Sequence, residues 1–287
     1  KSRTFIPAKL QDNPYLLRTD YESTLDAMPE PLRSAMRDGN FMLSRVDSEW
    51  QVIPSAWIRA AQARWKDKPP ENFQMTSMGV DPSQGGADDF CFAPHYNGWF
   101  APLIKVPGKE TPTGSEGAAL VVKHRRDNAE VVIDVVGGYG GAVCLRLKDN
   151  GIGHIAFNGT SASGSRTKDC KIKFINRRAA AIWKFREALD PDQKGGSPIA
   201  LPPDQELFAD LAAPNFEITT RGIQIEDKKQ IKKRIGRSPG KGDAVIMAWN
   251  EGKHYHYSSD RDSRETTFNK AKSYPKVNMG REAQRRR

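Results

Sequence analysis

Three aspartates stand in settings where a carboxylate needs a counter-charge. Asp81 closes the apolar stretch of MGVDPSQGGADDF (Met78 to Phe90), and a Gly-rich turn follows at once. Asp134 lies inside AEVVIDVV, which is nearly all apolar and β-branched. Asp243 precedes the apolar run AVIMAW. An unpaired carboxylate in an apolar strand costs several kcal/mol, and a cation removes that cost. Hard divalent ions such as Mg²⁺ choose oxygen donors and need few protein carboxylates, because waters and substrate phosphates complete the shell. Two such ions about 4 Å apart activate a water and stabilise the leaving oxygen in phosphodiester hydrolysis. Each residue also has a structural alternative. An Asp after a strand serves as a turn or cap residue, and Asp243 would favour a helix N-terminus electrostatically. The alternative is weakest for Asp134, whose flanks are so apolar. Asp88 and Asp89 either lie near the same site or cap the next strand.

The other candidates are basic. EDKKQIKKRIGR carries Lys228, Lys229, Lys232, Lys233, Arg234 and Arg237. Cations three or four apart share a helix face and could follow a phosphate backbone; the plain alternative is a solvated face. Its place just before Asp243 favours nucleic acid. A hairpin around Arg221-Gly222 either projects beside the site to touch DNA or is ordinary sheet edge. Cys91 and His95 have a zinc-like spacing but no second pair, and His124 and His154 read as structural. No G-x-S-x-G elbow is present. GGYGG (Gly137 to Gly141) opens a helix and reads as tight packing or backbone approach to DNA. GRSPGKGDA fails as a phosphate-binding P-loop, because Gly242 stands where the hydroxyl belongs.

The chain has 287 residues and a formal charge of +10, with 37% hydrophobic and 28% charged residues. Length allows one or two domains. The basic excess points to a polyanionic partner, most often nucleic acid. Cys91, Cys144 and Cys170 are too few for a disulfide framework. No apolar run approaches the roughly 18 residues of a membrane span, and no signal peptide opens the chain. Lys1 in place of an initiator Met suggests a fragment or processed product.

The elements that must position these residues follow from periodicity. Residues 1–70 read as a helical, proline-punctuated arm: one helix in TLDAMPEPLRSAMRDG ending at Gly39, another over Ile53–Trp65 with Ser55 as N-cap. QMTSMGVD is a strand. DFCFAPHYNGWFAPLIKVPG gives two more, joined at Asn97-Gly98. A helix from about Ser115, the strand bearing Asp134, a helix after GGYGG, the strand HIAFNGTS and the helix FINRRAAAIWKFREALD follow. Next come a short helix in PPDQELFADLAA, the hairpin, and helices in KKQIKKRIG and PGKGDAVIMAWNEG. This order is a mixed α/β sheet with helices on both faces. Residues 71–252 form the main domain. Residues 253–287, ending Arg285-Arg286-Arg287, read as a basic, largely flexible tail.

MGVDPSQGGADD, VVIDVVGGYGG and IEDKKQIKKRIGRSPGKGDAVIMA together resemble the nuclease domain of phage terminase large subunits, over roughly residues 5–250. These are the motors that package phage DNA and cut it. The resemblance implies an RNase H-like, RuvC-related fold. It implies that Asp81, Asp134 and Asp243 are the catalytic, metal-binding triad for two Mg²⁺ or Mn²⁺ ions, with Asp81 bridging both and Asp88 a possible accessory. Lys228 matches a lysine common in the family's E-x-K segment and is expected at the scissile phosphate or orienting a ligand. The family commonly has S-P-D-x-A-D-A, whereas Gly240 and Gly242 stand here. The expected activity is low-specificity endonucleolytic cutting of double-stranded DNA during genome packaging. The ATPase motor would lie N-terminal to this chain, and the portal ring and small terminase subunit would be partners in the host cytoplasm, outside the mature virion. A structure-specific resolvase, or a DNA-gripping or portal-docking module with little cleavage of its own, are the alternatives.

Overall fold

The computed structural model describes residues 12–19, 21–26, 47–71 and 73–252. Most of the helix expected to end at Gly39, and the tail 253–287 with its three terminal arginines, lie outside the described residues. The helices are α1 (Tyr21–Asp26), α2 (Ser55–Ala63), α3 (Gly114–His124), α4 (Tyr139–Asp149), α5 (Arg177–Leu189), α6 (Gln205–Ala212), α7 (Lys228–Ile235) and α8 (Gly240–Glu251). The strands are β1 (Ser77–Asp81), β2 (Asp89–Tyr96), β3 (Trp99–Phe100), β4 (Ile104–Pro107), β5 (Glu130–Asp134), β6 (His154–Phe157), β7 (Phe216–Thr219) and β8 (Gly222–Ile225).

Six strands form one mixed sheet in the order β3-β2-β1-β5-β6, with β4 also paired to β2. β1 is antiparallel to β2 and parallel to β5, and β5 is parallel to β6. The segment after Asn97-Gly98 holds two short strands instead of the single one expected. Pro102 has no N–H to give to a ladder, so pairing breaks between Phe100 and Ile104. Asp134 ends its strand instead of lying within it: Asp134 Oδ1 accepts the Val136 N–H at 2.8 Å, and the chain turns through Gly137 and Gly138 at φ 85° and 92°.

Alternation along the strands divides the core in two. Met78, Val80, Phe90, Phe92, Val131 and Ile133 face α3 and α4, meeting Ala118, Val121, Val143 and Leu147. Cys91, Ala93 and Val132 face the opposite way, into a larger core with α2, α5, α6 and α8. Gly79 also lies on this second side. A Cβ there would stand 1.9 Å from the Ala244 carbonyl oxygen, so the missing side chain lets α8 rest directly on β1.

Residues 51–65, read from sequence as part of an arm, pack into this larger core: Val52, Ile53, Ile58 and Ala61 are fully buried. The N-cap of α2 is Pro54, which offers no side-chain cap; Asp47 Oδ2 accepts the Ser55 N–H at 2.7 Å instead. By contrast, α3 carries a full capping box from Thr113 and Glu116. Among the described residues no helix is long and apolar enough to cross a membrane.

Candidate active site

The three aspartates come from distant parts of the chain and meet at one end of the sheet. Asp81 is the last residue of β1, on the same side as Gly79 and therefore beneath α8. Asp134 is the last residue of the adjacent β5 and, two residues from Val132, shares that side. Asp243 lies in the first turn of α8. Gly240 makes the approach possible: a Cβ there would stand 2.8 Å from Asp81 Oδ2 and 3.1 Å from Cys91 Sγ.

Lys228 sits among these acids. It opens α7, whose N-cap Asp227 accepts the Lys229 N–H at 2.8 Å. Its Nζ lies 3.1 Å from Asp81 Oδ1 and 2.8 Å from Asp243 Oδ2. Burial pushes the Asp81 carboxyl up to about 7; Lys228 opposes that shift, and repulsion from Asp243 and Asp134 adds to it. Burial likewise raises Asp134, against Lys228 and the Val136 N–H. Burial also acts to raise Asp243, but Lys228 and then Arg178 outweigh it and hold that carboxyl below its usual range. Burial alone would lower Lys228, yet Asp243 and Asp81 hold its ammonium protonated well above the ordinary lysine range. One cation thus serves two carboxylates, and the proton taken up near neutrality belongs to the coupled group.

Among the described residues no three acids, histidines or cysteines are drawn together tightly enough to coordinate an ion as they stand. The donor set nonetheless fits a hard divalent ion. All three groups are carboxylates, two of them already share a cation, and Asp134 and Lys228 border both recesses that meet here, of about 980 and 240 Å³.

The remaining expected residues separate into groups. Asp88, in the Gly-rich loop, pairs with Lys232 at 2.7 Å across the site. Asp89 starts β2 and pairs with Lys105 at 2.7 Å. Arg234 is exposed but tied to Glu226 and the Ala213 carbonyl. Arg237 pairs with the buried Asp210. Lys229 and Lys233 are exposed on α7, and Arg221 is exposed in the turn of the β7–β8 hairpin. His95 is fully buried, where its Nε2 accepts the Gly98 N–H at 2.7 Å. His124 packs on Phe92 with ring centroids 5.4 Å apart.

Sequence reading missed Arg178. Its Nη1 donates to the Glu226 carbonyl at 2.8 Å, two residues before Lys228. Its Nε and Nη2 are buried without a hydrogen-bond partner among the described residues. The side chain borders the larger recess together with Asp134 and Asp243. One signal was present in the sequence. Arg177 and Arg178 occupy the first turn of α5, where the helix dipole disfavours cations, and such local conflicts concentrate at functional sites. Arg177 finds compensation in Glu251 at 2.8 Å.

No protein-family model matches the chain, and no curated protein matches it either. Solved structures do. The nuclease domain of the large terminase subunit gp2 of bacterial virus Sf6 is similar over 69% of this chain and 97% of its own, at 17% identity and a TM-score of 0.53. A lysine-to-alanine variant of that domain, solved with manganese and β-thujaplicinol, gives 18% identity, the same coverage and a TM-score of 0.52. A calcium-containing structure of the same subunit also gives 0.52, at 17% identity. The chain has the RNase H-like α/β fold of phage large-terminase nuclease domains.

Proposed function

We propose that this chain is a metal-dependent endonuclease domain of a phage DNA-packaging motor, cutting double-stranded DNA by phosphodiester hydrolysis. The observation that carries the reading is the convergence of Asp81, Asp134 and Asp243 around one lysine, within a fold shared with terminase nuclease domains. The Sf6 domain was solved with manganese and with calcium, in keeping with carboxylates as the metal-holding groups here. Divalent ions held by these three side chains would supply Lewis-acid charge stabilisation and water activation.

The chain's own residues do the rest. β1, β5 and α8 fix the three carboxylates rigidly, so little reorganisation is needed at the moment of reaction. Lys228, once its hold on Asp81 and Asp243 is loosened, donates to a non-bridging phosphate oxygen. In the net reaction a water oxygen bonds to phosphorus, one P–O ester bond breaks, and a proton from the water ends on the leaving oxygen. Arg178 adds a positive charge beside the recess that Asp134 and Asp243 border, which favours a phosphate there. Lys229 and Lys233 supply salt-sensitive contacts to the backbone. None of these groups reads a base edge, so sequence preference is low. The same reading takes residues 71–252 as the nuclease unit, together with residues 51–65 that pack into its core. A motor, portal ring and small subunit would be its partners in the host cytoplasm.

The test is plasmid cleavage by wild type and Asp81→Ala side by side, in Mg²⁺, Mn²⁺ or EDTA. Metal-dependent nicking and linearisation that disappears in the variant supports the reading. Cleavage that persists in the variant or in EDTA overturns it.

A further inference from the structure

Asp243 is useful only where α8 puts it, and α8 lacks a cap of its own. Its N-cap is Pro239, which has no side chain able to accept a hydrogen bond. The first N–H groups of a helix need acceptors from elsewhere. They find one on α6. Asp210, 2% exposed, accepts the Gly242 N–H at 3.1 Å through Oδ2, and Gly242 is the residue immediately before Asp243. Its other oxygen pairs with Arg237, in the link between α7 and α8. Two further acids act on the next residue over: Lys241 Nζ lies 2.5 Å from Asp204 Oδ2 and 2.9 Å from Glu206 Oε2. The start of α8 is thus held from α6 and its N-cap at residues 237, 241 and 242.

Gly242 fits this arrangement sterically. A Cβ there would stand 2.8 Å from Asp210 Cβ, closer than real side chains come. Glycine at 242 therefore matches a carboxylate brought against the backbone from the neighbouring helix.

We infer that Asp210 is a positioning residue: it caps α8 from outside and thereby sets Asp243 against Asp81 and Asp134. The inference rests on the reading of Asp243 as a metal-holding acid. Outer-shell groups that orient ligands in this way typically change metal affinity about 10–100-fold when removed.

The experiment compares wild type with Asp210→Ala and Gly242→Ala in the full chain. Leu147→Ala, in the separate core on the other side of the sheet, serves as a control matched for lost stability. Two quantities are read: amide exchange in EDTA, and Mn²⁺ affinity by calorimetry. Asp210→Ala removes the acceptor; it should speed exchange at Gly242 and Asp243 while Val80 and Ile133 stay protected, and should weaken Mn²⁺ binding about 10–100-fold. Gly242→Ala should do the same from the other partner, and it decides the matter if Asp210→Ala does not fold. Leu147→Ala should leave Mn²⁺ affinity unchanged. If both α6–α8 variants keep wild-type Mn²⁺ affinity, or loosen the whole domain as the control does, Asp210 is only structural and the inference fails. If wild type itself takes up no Mn²⁺, the metal reading fails, and the confinement of faster exchange to the start of α8 still decides the role of Asp210.

Discussion

Replacing Lys228 with alanine should move metal affinity and cutting in opposite directions. The ammonium lies about 3 Å from both Asp81 and Asp243. At an effective dielectric near 20, each such contact gains roughly 5 kcal/mol before desolvation. Desolvation cancels much of that, and Lys228 keeps 34% of its side chain exposed. Removing one partner of a buried ion pair costs about 3–5 kcal/mol; the exposure argues for the lower end. For a domain of this size about 3 kcal/mol corresponds to a Tm lower by roughly 6–12 °C. That loss should be seen by differential scanning calorimetry in EDTA. The stranded carboxylates then have no cation of their own, so Mn²⁺ should raise the variant's Tm by several degrees more than that of wild type, where the ion must compete with the ammonium. Cleavage should fall nonetheless, because the phosphate loses a donor. A variant as stable as wild type in EDTA, or one that gains no more than wild type from Mn²⁺, would refute the claim that Lys228 and the metal compete for the same oxygens.

Proton competition should be visible at the same site. Asp81 titrates near 7 in the folded protein because burial disfavours its charge. Below that pH a metal must displace the proton, so apparent Mn²⁺ affinity should climb as pH rises from 5 to about 7 and flatten above it; calorimetry across that range should show the break, and a flat profile counts against Asp81 as a ligand. Gly79→Ala puts a Cβ 1.9 Å from the Ala244 carbonyl oxygen. It should cost about 3 kcal/mol or more by overpacking and abolish cutting, whereas a wild-type Tm would show that α8 does not rest on β1 as described. Arg178→Gln should weaken DNA binding about tenfold and reduce the slope of log K against log salt by about 1. If filter binding shows neither change, Arg178 acts on the carboxylates alone.

The fold was legible where local rules agree with one another. β5 is so apolar and β-branched that it reads as an interior strand, and it lies between β1 and β6. The capping box of α3 and the Asn97-Gly98 turn follow from residue chemistry at short range. Boundaries failed where a distant group intervenes. Asp47, eight residues away, does the capping expected of Ser55, and Pro102 divides a strand that composition alone would keep whole. The basic run at 228–237 reads as one charged face. In the structure, Lys228 turns to Asp81 and Asp243, Lys232 to Asp88, Arg234 to Glu226 and Arg237 to Asp210. Only Lys229 and Lys233 remain simply exposed on α7 in the way that reading supposes.

By itself the sequence determined which residues would need a counter-charge. An aspartate beside an apolar run declares its desolvation cost in its own neighbours, and Asp81 and Asp134 at strand ends and Asp243 at the start of α8 each do so. Only the tertiary structure decided what answers them. Lys228 is 147 residues from Asp81 along the chain, and Arg178 and Asp210 lie on helices whose periodicity says nothing of their partners. Charge pairing depends on separation in space. That separation is set by two close backbone approaches, α8 on Gly79 and Gly242 on Asp210, which a chain read residue by residue does not reveal.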